Sequence, residues 1–202
     1  MAGTRTKRGE YAKTAERRHQ ILSAATEVFG TLGFHKGSLR DVAERTGLTQ
    51  AGILHHFPGK SDLLNGVLVW RDEQTRERFD EGLNAGGLHT LRTVVDLIQY
   101  NQTTPHLVEL YTTIAAEATS ADHPAHEYFQ RRYAWAVRTL EEALEQAAAA
   151  GQVTPGLDCP RAARLTTAMM DGLNIQWLLD RTSVDVADDI RQHIQSLLTV
   201  EL

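Results

Sequence analysis

One pattern governs what this chain can become: from Ala15 to the C-terminal leucines, apolar residues recur at intervals of three and four, and the rhythm breaks only at glycines and prolines. Short alternating runs joined by hairpin turns, which a sheet would need, do not occur. The pattern predicts an all-α chain of about nine helices. The first runs from Ala15 to Phe29 on Ile21, Leu22, Ala25, Val28 and Phe29, with Gly33 placed to end it. Ser38 caps a second, which has Asp41 three places on and Leu39, Val42 and Ala43 along its inner face, and Gly47 stops it. Thr49 caps a third, short helix carrying Ile53 and Leu54, closed by Pro58-Gly59. A fourth spans Ser61 to Glu81 along Leu64, Val67, Leu68, Arg71 and Phe79, and Gly82, Gly86 and Gly87 mark its end. Five more follow: Thr90 to Tyr100; one begun by Pro105 with Thr104 as its cap; a long one between Pro124 and Gly151; Arg161 to Arg181; and Val186 to Leu198.

With 202 residues, 42% of them hydrophobic, such a chain buries a core without metal or disulfide staples, and the composition disfavours disordered and membrane-spanning classes. No apolar stretch approaches the roughly 20 residues a membrane span requires, and the basic start MAGTRTKRGEYAKTAERR has no apolar core behind it. The expectation is a cytoplasmic protein with no membrane partner. The single cysteine, Cys159, has no internal partner and fits a reducing compartment. The net charge of -5 is unevenly divided: residues 1–60 hold ten Lys or Arg against five acids, whereas residues 61–202 hold eleven against twenty-one. A basic head, 1–60, joined to an acidic body, 61–202, suggests that the head meets a polyanion. Arg5, Lys7 and Arg8 precede the first helix as a basic arm suited to a minor groove.

Residues 38–57, SLRDVAERTGLTQAGILHHF, have the layout of a helix-turn-helix: a short helix, a tight glycine-containing turn at Thr46 to Thr49, and a second short helix. Ala43 is small where the helices cross, Gly47 can take the left-handed turn conformation, and Val42, Leu48 and Ile53 fill the wedge. Gln50, Ala51 and His55 remain outside. A glutamine can bridge adenine N6 and N7 and an alanine methyl can pack on thymine, so this face suits a major groove, with Arg40 able to reach a guanine or a phosphate.

The run from Arg17 to Leu64 resembles the DNA-binding head of the TetR family of bacterial one-component regulators. The resemblance is carried by Ile21, Ala24, Ala25, Phe29 and Gly33, by Asp41-Val42-Ala43, Gly47-Leu48-Thr49 and His56-Phe57, and by Lys60 followed by Asp62-Leu63. In the body only Asp171-Gly172-Leu173 adds to it. It implies an all-helical homodimer whose two heads enter successive major grooves of a palindromic double-stranded DNA operator, and a small-molecule effector, of unknown identity, that binds in the body and pulls the heads out of register. It places Arg40, Gln50 and Ala51 at the bases, Lys60 at a phosphate, and His56 in helix packing and backbone contact. Two residues depart from the family pattern. Leu54 stands for the usual tyrosine, leaving His55 or Thr49 to supply a backbone contact, and Ala51 stands for a common glycine.

In the body, Trp70, Tyr100, Tyr111, Tyr133, Trp135, Met169, Asn174 and Trp177 are candidates to line an effector pocket, and few charges fall on inner positions, which favours an apolar or amphipathic effector. Leu165, Ala168, Gly172 and Leu179, with Val186, Ile190, Ile194 and Leu197, are candidates for a two-helix contribution to a dimer interface. No cofactor, metal or catalytic residue is expected. Pro58-Gly59-Lys60-Ser61 has the tail of a phosphate-binding loop without its first glycine or its strand. His123 and His126 read as solvated loop histidines, and no base lies near Cys159. The reading is a ligand-responsive repressor; an effectorless architectural protein would lack a cavity in the body, and an all-helical enzyme would need clustered acid and base groups in a cleft.

Overall fold

The computed structural model describes residues 4–202, with side chains from Lys13 onward. Nine helices are found among the described residues: α1 (Thr4–Lys36), α2 (Leu39–Thr46), α3 (Gln50–His56), α4 (Lys60–Leu83), α5 (Gly87–Gln102), α6 (Pro105–Glu117), α7 (His126–Ala149), α8 (Cys159–Leu179) and α9 (Val186–Leu197). Among the described residues, extended backbone pairs only at an isolated bridge between Val153 and Leu198. No helix among the described residues is long and apolar enough to cross a membrane. The side chains of the arm residues Arg5, Lys7 and Arg8 lie outside the described residues; the backbone there continues α1 from Thr4.

Local chemistry explains most boundaries. Gly33 breaks the regular helix of α1 with φ 72°, and a Cβ there would collide with the Glu117 carboxylate. That carboxylate accepts the Phe34 N–H at 2.6 Å, so the end of α1 is fastened to the end of α6. Ser38 and Asp41 form a reciprocal capping box: Ser38 Oγ accepts from Asp41 N–H at 3.2 Å, and Asp41 Oδ2 accepts from Ser38 N–H at 2.9 Å. Gly47 ends α2 in the left-handed conformation, φ 66°. Two expectations about ends fail. Thr104 does not cap α6; its hydroxyl turns back to the Asn101 carbonyl at 3.3 Å, and Pro105 alone starts the helix. Gly87 opens α5 instead of closing α4, because Thr90 Oγ1 receives the Gly86 N–H at 2.8 Å and fixes the turn.

Burial divides into two apolar clusters. The first gathers Ile21, Val28 and Phe29 of α1, Val42 of α2, Ile53 of α3 and Leu63, Leu64 and Val67 of α4, and it continues into Leu110 and Ile114 of α6 and Phe129 of α7. The second holds Leu91 and Val95 of α5, Leu140 and Leu144 of α7, Ala163 of α8 and Ile190 and Ile194 of α9. The floor of the head is therefore built by α6. A movement of α6 or α4 in the body is felt directly beneath the helix-turn-helix, because close-packed interiors transmit displacement.

Candidate nucleic-acid interface and effector cavity

The short helix α3 turns its apolar half into the wedge, where Ile53 is fully buried, and this leaves Gln50, Ala51, Leu54 and His55 exposed. Thr49 caps the helix, its hydroxyl accepting the Gly52 N–H at 3.1 Å while keeping its own proton to donate. Arg40 is exposed on α2 and meets Glu44 at 3.3 Å. Such an exposed pair is worth little and yields readily to a base or phosphate. His56 and Lys60 are half-buried and already engaged. The His56 carbonyl accepts from Arg18 at 3.3 Å, and the Arg18 guanidinium lies 4.2 Å from the centre of the Phe57 ring, so Arg18 clamps the end of α3 to α1. Burial, then the neighbouring His55, lowers the His56 pKa and keeps its ring neutral at pH 7. Lys60 Nζ donates to the His35 carbonyl at 3.2 Å and sits 4.5 Å from the centre of the Phe34 ring.

Beneath that corner lies His123. The structure overturns its reading as a solvated loop residue: it is 5% exposed, packed edge-on to Phe34 at 5.0 Å and to His35 at 5.6 Å. The α6–α7 connection folds inward under α1, which its polar sequence SADHPAHEY did not disclose. Nδ1 accepts the Ala125 N–H at 3.2 Å, while Nε2 has no hydrogen-bond partner and stands 3.8 Å from Glu117. Burial lowers its pKa against the opposing pull of Glu117. His126 instead holds the Ala118 carbonyl at 2.8 Å through Nδ1. Among the described residues no group of three or more His, Cys, Asp or Glu could hold a metal.

In the body, helices α5, α6, α7 and α8 surround a cavity of about 180 Å³, to which α4 contributes Arg71. Leu97, Ile98, Val108, Phe129 and Leu140 supply apolar wall; Asn101, Tyr111, Arg132, Asp171 and Asn174 supply polar groups. Arg71 is 6% exposed. It donates to Thr75 Oγ1 and, at 2.6 Å, to Asn101 Oδ1, and its Nε has no partner. Next to it on α4, Asp72 accepts from Tyr111 at 3.1 Å and from Tyr128 at 3.0 Å, and Arg132 stands 4.0 Å away. Burial pushes the Tyr111 hydroxyl up to about 12, so it remains a donor at neutral pH. Through Arg71 and Asp72, α4 is thus tied to α5, α6 and α7 at the cavity, while its first residue belongs to the corner of the helix-turn-helix.

The model of bacterial regulatory proteins of the tetR family matches residues 21–67, and that of the C-terminal part of BetI-type transcriptional repressors matches residues 89–200. The chain belongs to the TetR family. It is 28% identical over 198 residues to the HTH-type transcriptional regulator TtgR of Pseudomonas putida, an alignment covering 90% of this chain and 89% of that one. Among solved structures, a TetR-family regulator from Agrobacterium tumefaciens superposes with a TM-score of 0.76 at 19% identity, covering 92% of this chain and all of that one. A structure described as showing the molecular basis for control of antibiotic production by bacterial hormones superposes with a TM-score of 0.68 at 26% identity, over 91% of this chain and 98% of that one. The fold is that of a DNA-binding transcriptional regulator, with the helix-turn-helix in the head and a helical body behind it.

Within this TetR-family body, four of the aromatic and polar candidates, Tyr111, Tyr133, Trp135 and Asn174, line the cavity, and four do not. Trp70 packs on the head core with its ring 5.7 Å from His19; Tyr100 lies 5.8 Å from Phe79 and under Arg78; Met169 and Trp177 belong to the second core cluster. The cavity also holds Arg71, Arg132 and Asp171, against the expectation of few inner charges. A signal was present for Arg71, which falls in the buried stripe of Leu64, Val67 and Leu68. On α8, Leu165 and Leu179 are 55% and 83% exposed, Ile175 joins them at 48%, Ala168 lies on the same face, and the Cα of Gly172 faces open space. Val186, Ile190 and Ile194 are instead buried inside the chain's own core between α5, α8 and α9, and Leu197 is half-buried, so the apolar stripe of α9 is consumed internally.

Proposed function

We propose that this chain is a repressor that binds an inverted-repeat operator as a homodimer and is released by a small organic molecule entering the body. The observation that carries the reading is the course of α4: Lys60, its first residue, is bonded to the head corner, and Arg71, eleven residues on, lines the cavity, about 16 Å along one helix. Repression is supported by the BetI-type repressor match over the body. The cavity weighs against the effectorless reading. Residues 1–60 are the DNA-binding head, where Arg40, Gln50 and Ala51 face bases, Lys60 and either Thr49 or His55 face the backbone phosphates, and His56 positions the helix. The exposed stripe of α8, Leu165, Ala168, Gly172, Ile175 and Leu179, is the face toward the second copy.

A ligand moves the equilibrium only as far as its affinities for the DNA-bound and released arrangements differ. A hundredfold loss of operator affinity corresponds to about 2.7 kcal/mol of coupling. Selection from randomised duplexes is expected to return an inverted repeat with half-sites roughly 34 to 36 Å apart. Recovery of unrelated sequences with no dyad would contradict the reading.

A further inference from the structure

The cavity contains an arginine whose surroundings lack the acid that such a group ordinarily needs. Arg71 is nine-tenths buried, its two hydrogen-bond partners Thr75 and Asn101 are neutral, and no carboxylate stands within ion-pair distance of it among the described residues. A second guanidinium, Arg132, shares the same wall: the two lie 5.8 and 5.9 Å from the centre of the Tyr111 ring. The nearby acid, Asp72, is occupied by the hydroxyls of Tyr111 and Tyr128 and touches only Arg132, at the limit of 4.0 Å. Asp171, also in the lining, is engaged by the Tyr133 hydroxyl, its pKa is pushed up by burial, and among the described residues it pairs with neither arginine. Leaving a guanidinium buried without a counter-charge costs several kcal/mol, and crowding it with a like charge raises that cost. Arg71 lines the cavity, and among the described residues its Nε has no hydrogen-bond partner.

We infer that the effector is an amphipathic carboxylate, its anionic head received by the guanidinium groups of Arg71 and Arg132 and its apolar body lying against Ile98, Val108, Phe129 and Leu140. This deepens the proposed effector-released reading and rests on it. The donors fit a planar carboxylate: two of the five Arg71 N–H groups are taken by Thr75 and Asn101, and the remaining ones, with the loosely held Arg132 guanidinium, match two acceptor oxygens. Charge-assisted hydrogen bonds of this kind are roughly twice as strong as neutral ones. A cavity of about 180 Å³ is slightly larger than one of 150 Å³ that holds benzene, so a single ring or a short alkyl chain fills it. The same head provides a route for release. By drawing Arg132 away from Asp72 and Arg71 away from Asn101, the carboxylate loosens the ties that set α4 against α5 and α7, and α4 carries the head.

The test compares 3-phenylpropionate with 3-phenylpropan-1-ol and 3-phenylpropylamine, and hexanoate with hexan-1-ol, by calorimetric titration into the full chain and by release of the selected operator. At least one carboxylate is expected to bind about tenfold or more tighter than its alcohol, with the amine weakest. Arg71→Met is expected to abolish that preference, and Arg132→Met, on a less buried side chain, to reduce it. Should Arg71→Met fail to fold, Arg71→Lys, which keeps the charge and loses the Nε donor, is expected to reduce the preference, and the Arg132 variant stands by itself. Equal or tighter binding of the alcohols or the amine, no carboxylate binding at millimolar concentration, or a preference unchanged in the arginine variants would overturn the assignment. Operator release separates the two layers: carboxylate binding without release supports the anion site and removes the release reading, whereas release by the neutral alcohols alone preserves that reading and removes the anion site.

Discussion

The head and the body arrange their polar groups differently. Around the helix-turn-helix the cap and turn groups are matched, Ser38 with Asp41, Thr49 with Gly52 N–H, Arg18 with the His56 carbonyl and Phe34 N–H with Glu117, and the unpartnered His123 Nε2 lies below them in the α6–α7 connection. At the centre of the body an arginine nitrogen is left unmatched beside empty volume. A reading surface gains from a single fixed geometry, because each base contact must land within a hydrogen bond's tolerance. A sensing site gains from groups whose preferred partner comes from outside.

Substitutions can break that contrast or sharpen it. The largest effect is expected in the fully buried wedge: Ile53→Ala should cost about 3 to 5 kcal/mol of stability, near the top of the range for such truncations, measured by urea unfolding. Leu107→Ala, at the cavity wall, should fall near the bottom, about 2 kcal/mol, because its neighbours already border a void. Equal losses at the two sites would mean that the body is packed as tightly as the head. Next in size, Gln50→Ala should lose about 1 to 3 kcal/mol of discrimination between the selected operator and random duplex while leaving the melting temperature unchanged. A uniform loss on both duplexes would remove Gln50 from the bases. Smaller still, Ser38→Ala should cost about 1 kcal/mol by removing the cap. Asp41, whose carboxyl is held below the usual range chiefly by its Ser38 bonds, gives stability that is present above the unfolded carboxylate pKa and lost as pH falls through the folded value, so the variant should show a flatter acid limb.

His123 joins the two regions and has a pH signature of its own. Its folded pKa is lowered by burial, so between that value and the unfolded value of about 6.5 the unfolded chain binds more protons. Stability should therefore fall as pH drops below about 6.5, and His123→Gln should weaken that fall. An unchanged profile would show that the ring is not held neutral under Phe34.

The head was legible in the sequence because its determinants are local. Capping residues, the left-handed Gly47 and the small Ala43 each act within a few positions, so spacing alone located α2, α3 and the turn. The cavity was half legible. Tyr111 and Asn174 lie on faces that periodicity can find, and Tyr133 and Trp135 line the cavity while remaining over a third exposed, but periodicity does not tell a wall from a core, and Trp177 and Met169 went to the core. The same ambiguity hid the fate of α9, whose apolar stripe could close onto its own chain or onto a second copy, and which closes onto α5 and α8. His123 was illegible for a different reason: a polar connection gives no sign of folding inward until Phe34 and Glu117, about ninety residues earlier and six residues earlier in the chain, are brought against it.

The central claim is that occupancy of the cavity moves the heads through α4. The most direct measurement places a spin label at the exposed Thr31 of each copy, with Cys159 replaced by serine, and records the distance between labels by electron double resonance, with and without saturating 3-phenylpropionate. The expected result is a ligand-free separation compatible with two adjacent major grooves and a shift or broadening of several ångströms once the carboxylate binds. An unchanged distance distribution under conditions where the ligand is bound and the operator is released would contradict it.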